Sequence, residues 1–150
     1  MARRQARETA LKTMYQIDLG KVAVETAYAN VLNEYPLEDE DREFARDLVT
    51  GTCSHLAEID AIIRRVAVDW QLDRIAKVDR SILRLALYEI VYRKDVPDAV
   101  AVNEAVELAK LYSTDDSGKF VNGILGKVVA QPQGFRQDDD RAPDQPQPNQ

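Results

Sequence analysis

From Arg3 to Val128 the apolar residues of this chain recur three and four positions apart, the spacing of helices that bury one face. In the first stretch Ala6, Ala10, Met14 and Ile17, with Leu11 and Tyr15 beside them, predict a helix from Arg3 to Leu19 that stops at Gly20. A second helix is expected from about Val24 to Tyr35, ended by Pro36. The acidic run Glu38 to Glu43 then stands where a helix N-terminus favours negative charge. The apolar positions Phe44, Leu48, Ile59, Ile62, Ile63 and Val66 that follow predict one long helix, with Gly51 inside it as a place to bend.

Asp69 to Lys77 reads as a loop or short helical turn. After it, Ile82, Leu83, Leu85, Ala86, Ile90 and Val91 give an apolar face broad enough for a central helix. Pro97 ends that segment. Another helix is expected from about Asp98 to Tyr112, and a last one carries Phe120, Val121, Ile124, Leu125 and Val128 behind the cap candidates in Ser113 to Ser117. No strand-like alternation bounded by turn dipeptides interrupts this order, so the expected fold is an all-α, single-domain bundle of six or seven helices.

The 150 residues suit one domain with one core. Beyond Ala130 the composition turns to Gln, Pro and Asp, with four of the six prolines at 132, 143, 146 and 148. A folded domain over residues 1–130 and a disordered tail over 131–150 are therefore expected. No run of eighteen apolar residues and no signal-peptide core follow the basic start, so no membrane partner is expected and the cytoplasm is the default address.

Few residues here suit catalysis or metal binding. Cys53 and His55 are single copies, which excludes an internal disulfide and leaves a structural zinc site without ligands. Two positions apart, they fall on different faces of a helix, and a small buried thiol and a helix-face imidazole are the simpler reading. Gly118-Lys119 lacks the glycine and the hydroxyl residue that a phosphate-binding loop requires, since Ser113 and Phe120 occupy those places. Neither a catalytic residue, a cofactor nor a metal is expected.

The net charge of −6 argues against nucleic acid only on average. Residues 1–12 hold Arg3, Arg4, Arg7 and Lys12 against Glu8 alone. Two readings compete for these arginines: they keep the terminus soluble, or they form a contact for the phosphates and bases of single-stranded RNA.

Several segments, in their order and spacing, resemble the NusB family over nearly all of residues 2–129. They are Ala2-Arg3-Arg4-Gln5-Ala6-Arg7-Glu8, Met14-Tyr15-Gln16, Asp41-Arg42-Glu43-Phe44-Ala45, Val78 to Glu89, Val96-Pro97, Val102 to Lys110, and Ser117 to Leu125. The resemblance implies a bundle of seven helices in two packed halves. It also implies a transcription antitermination factor that binds the boxA element of ribosomal RNA operons together with the ribosomal protein NusE, in an antitermination complex with RNA polymerase.

Carried over by position, the RNA surface implied comprises Arg3, Arg4 and Arg7 with Asp116, Ser117, Lys119 and Asn122. The surface for NusE comprises Tyr15, Asp73, Asp79 and Arg84. Lys119 suits a phosphate, and Ser117 and Asn122 offer hydrogen bonds to sugar or base edges. Asp116 repels phosphate and reads equally as a helix N-cap, and Asp79 reads equally as a cap. The family is known as monomers and as homodimers, and helical faces bury equally well in either. Two other functions compete: a helical adaptor that binds protein alone, and the NusB-like module of a ribosomal-RNA cytosine methyltransferase. The latter needs a cofactor-binding domain that is not expected after Ala130.

Overall fold

The computed structural model describes residues 2–93 and 95–131; the expected tail, Gln131 apart, lies outside the described residues. Among the described residues seven α-helices follow one another: α1 (Ala2–Gly20), α2 (Val24–Glu34), α3 (Asp39–Ser54), α4 (Leu56–Val66), α5 (Lys77–Tyr92), α6 (Asp98–Tyr112) and α7 (Asp115–Ala130). A single 3₁₀ turn, Leu72–Arg74, lies in the connection between α4 and α5. No strand occurs among the described residues.

The broad apolar face expected around Ile82 to Val91 extends almost all the way round α5. Leu83, Leu87 and Val91 are sealed from solvent, and so are the polar Ser81 and Glu89. A helix buried on every side has to sit in the middle of a bundle. α5 touches α1 and α3 on one side and α4, α6 and α7 on the other. The first group is completed by α2, packed on α1 and α3, and the second by the α6–α7 pair, the largest helix–helix contact in the molecule. These are the two halves that the resemblance implied, and α5 belongs to both.

The long helix expected after the acidic run is two helices. The break falls at His55, whose backbone (φ −114°, ψ 24°) leaves the helical region while its N–H still reaches the carbonyls of Gly51 and Thr52. The imidazole stacks on Tyr92 with ring centroids 3.9 Å apart. Gly51 does not bend the chain. It lies inside α3 where the ring of Tyr88 presses on the backbone, and a Cβ there would collide with that ring. One irregular residue hardly disturbs the apolar phase, so the periodicity runs on across the break.

α1 ends at its stop signal itself, one residue later than the expected Leu19. Gly20 is helical and Lys21 takes the left-handed conformation (φ 54°), donating its N–H to the carbonyl of Ile17 at 2.9 Å. At α7 the cap is Thr114, whose hydroxyl accepts the N–H of Ser117 at 2.9 Å. Asp116 is therefore not the N-cap but an exposed residue of the first turn. Asp79 is no cap either, since α5 starts at Lys77 and no side chain caps it.

Candidate nucleic-acid interface

α1 and α5 run antiparallel, so Arg7 meets Glu89 near one end of the pair and Asp18 meets Arg80 near the other. α6 lies alongside α1 in the same direction, as shown by the contacts Arg4–Glu104 and Glu8–Tyr112. The sequence-derived site residues consequently fall at two places: the three arginines at one end, and the start of α7 near the other.

At the arginine end the three side chains are unlike one another. Arg3 is exposed; it reaches Asp95 at 3.5 Å and lies over the ring of Phe44, 4.1 Å from its centroid. Arg4 is partly exposed and forms a two-pronged pair with Glu104, one prong at 2.9 Å, which holds that carboxyl below the usual range. Arg7 is buried. It shares the core-facing side of α1 with Leu11 and Met14, and its guanidinium grips both oxygens of Glu89 at 2.9 and 2.7 Å. Both readings of these arginines require surface positions, and this is corrected for Arg7, because a residue four positions before Leu11 turns with it toward the core.

The sequence pattern gave no notice of Arg93, which completes this end. Its guanidinium binds Asp47 at 2.6 Å and Asp95 at 2.7 Å and lies 4.6 Å from the Phe44 centroid. The hydrogen bond from Arg93 holds Asp95 down to a pKa of about 2. Arg3, Arg7 and Arg93 thus surround one aromatic ring, a favourable seat for cations. Only long-range folding brings position 93 to the N-terminus, which is why a local charge count overlooks it.

At the start of α7, Asp116, Lys119 and Asn122 are exposed as a surface role requires. Ser117 is buried and donates its hydroxyl to Asp79 at 2.9 Å, tying α7 to α5. The second oxygen of Asp79 has no hydrogen-bond partner among the described residues. Beside this pair opens a groove of about 380 Å³ flanked by Trp70 and Phe120, whose rings meet edge-on with centroids 5.3 Å apart. Neither ring was singled out from sequence, because Phe120 falls on a core-facing period and Trp70 in a loop.

The surface expected for a protein partner is also rearranged. Tyr15 and Asp73 are exposed. Asp79 is buried under Ser117, and Arg84 is committed to Asp60 through bonds of 2.9 and 3.0 Å with little of its side chain exposed. These two therefore hold elements together rather than forming a free acidic and basic patch. Arg84 lines an open groove of about 730 Å³ together with Arg64, Gln71 and Asp73, whereas Asp79 lines the groove beside Trp70 and Phe120.

Cys53 is half buried, 3.9 Å from the sulfur of Met14, and burial pushes its thiol up. Among the described residues no three His, Cys, Asp or Glu side chains cluster as metal ligands, and no helix is long and apolar enough to cross a membrane.

The order of helices and the shared central α5 place the molecule among seven-helix bundles built in two halves. Known proteins make the assignment specific. The chain belongs to the NusB family, whose model matches residues 4–130. The transcription antitermination protein NusB of Desulforamulus reducens is 54% identical over 129 residues, covering 86% of this chain and 90% of that one. Among solved structures, T. maritima NusB superposes with a TM-score of 0.82 at 37% identity, covering 87% of this chain and 92% of that one. A crystal structure of the antitermination factors NusB and NusE in complex with double-stranded RNA matches with a TM-score of 0.80 at 31% identity, covering 86% and 96%.

Proposed function

We propose that this chain is a transcription antitermination factor that binds the boxA element of ribosomal RNA operons together with NusE, with no catalytic role of its own. The observation that carries this reading is membership of the NusB family over residues 4–130, supported by the likeness to a NusB seen with NusE and RNA. The RNA surface is assigned to Arg3, Arg4, Lys119, Asn122 and Asp116, with Arg93 added. Arg7 and Ser117 shape that surface from beneath, Arg7 by fixing α1 on α5 and Ser117 by fixing α7. The NusE surface is assigned to Tyr15 and Asp73, with Asp79 and Arg84 as the supports behind it. Its acidic and aromatic character suits a basic ribosomal protein.

The testing experiment is a salt-dependent titration of single-stranded boxA RNA, with and without NusE, against the parent and the double variant Arg3→Ala/Arg4→Ala. Each phosphate contact contributes about 0.7 to the log–log salt slope on a single strand, so the slope falls by about 1.4 if both arginines meet phosphate. NusE binding is expected to stay unchanged. An unaltered affinity and slope for the double variant would favour the adaptor that binds protein alone.

A further inference from the structure

The arginine end and the start of α7 are held apart by the length of α1. Lys12 lies nine positions after Arg3, which corresponds to about 13 Å of helix. Between the two lies a cluster that none of the assignments above uses. Lys12 places its ammonium 3.6 Å from the centroid of the Tyr35 ring and 5.9 Å from that of Tyr112. Tyr35 is 45% exposed and Tyr112 36%, so each ring presents surface that the bundle does not consume. The Tyr112 hydroxyl donates to Glu8 at 2.9 Å, which fixes the ring and engages that carboxylate. Tyr112 stands two residues before the cap of α7, and Glu8 stands one turn from Arg4.

We propose that Tyr35, Lys12 and Tyr112 form the middle of the RNA path, the rings stacking bases and Lys12 neutralising a phosphate as the strand passes from the arginines to the start of α7. This rests on the RNA-binding reading above. The chemistry fits single strands in particular, because an exposed aromatic ring accepts any base face whereas paired bases present none. It fits RNA better than a basic protein partner, because the cluster carries a lysine at its centre and its carboxylate is occupied.

The test uses the full chain and fluorescein-labelled single-stranded boxA RNA. Tyr35→Ala and Tyr112→Ala are each expected to weaken binding by about fivefold to a hundredfold, the range for losing one base stack. Tyr112→Phe, which keeps the ring and loses only the bond to Glu8, is expected to bind like the parent. Lys12→Gln should lower the salt slope by about 0.7. Ultraviolet cross-linking of the unaltered chain, read by mass spectrometry, should attach RNA at Tyr35 or Tyr112 whether or not the variants fold well. If Arg3→Ala/Arg4→Ala weakens RNA binding while the tyrosine variants bind like the parent and cross-links avoid both rings, this middle segment is wrong and the RNA-binding reading stands. Loss of NusE binding alone in the tyrosine variants would make the cluster a protein contact and overturn the proposal. Unaltered RNA binding in every variant would overturn both readings.

Discussion

Replacing Arg7 with alanine separates a structural arginine from an RNA-binding one. The side chains of Arg7 and Glu89 are 6% and 3% exposed and share two hydrogen bonds. Removing the guanidinium leaves a carboxylate in the core without its cation, a change that costs about 3–5 kcal/mol in comparable buried pairs. An exposed terminal arginine such as Arg3 contributes within about 0.5 kcal/mol. Since a domain is stable by only about 5–15 kcal/mol, Arg7→Ala should move a urea midpoint substantially and lower the melting temperature by roughly 10–20 °C. Arg7→Met combined with Glu89→Leu should recover most of that loss, because a buried ion pair is close to neutral against an apolar pair of similar volume. Urea denaturation of the three proteins, with RNA titration on the folded fraction, reads both effects. A loss under about 1 kcal/mol together with weaker RNA binding and a lower salt slope would refute the burial reasoning and return Arg7 to the RNA surface.

Two further outcomes follow from single residues. Gly51→Ala should destabilise by about 1–3 kcal/mol through collision with the Tyr88 ring, although helix propensity alone would have it stabilise by about 1 kcal/mol; thermal melting decides between the two signs. Asp95 has its folded pKa lowered to about 2, first by the hydrogen bond from Arg93, so its contribution is complete above about pH 4 and disappears as the pH falls through 2. Asp95→Asn should therefore flatten the acid limb of the stability–pH curve between about pH 4 and 2, and an unchanged limb would show that the pair is screened by solvent.

The helices themselves were legible because each is amphipathic and most are closed by a proline, a glycine or a polar run. Pro36 stands just beyond the end of α2, and α6 has the predicted bounds; Pro97, expected to end the central helix, instead stands directly before α6, five residues after α5 has closed at Tyr92. The split at His55 was not legible, since a one-residue irregularity leaves the apolar period nearly in phase. Site residues fared according to whether their environment is local. Lys119 and Asn122 are exposed because of their own helix's phase, which the sequence shows. Burial of Arg7, Asp79 and Arg84 depends on partners 82, 38 and 24 residues away, and the resemblance, carried over by position, had implied binding surfaces for all three. Arg93 and the Tyr35–Lys12–Tyr112 cluster were missed for the same reason, being assembled from separate helices.

The single irregular residue at His55 also sets how strictly the chain must keep its length. α3 and α4 meet there with no slack, and α4 needs Ile59, Ile62 and Ile63 turned inward toward the rest of the bundle. Adding or deleting one residue at this joint would rotate everything that follows in α4 by about 100°, carrying that isoleucine face out to water. In the stretch from Val68 to Ala76, only Ile75 is buried and just one 3₁₀ turn intervenes, so a similar change there is absorbed by the loop. Length variation among related chains should accordingly collect between α4 and α5 and be absent at the α3–α4 joint, which makes His55 a ruler for aligning them.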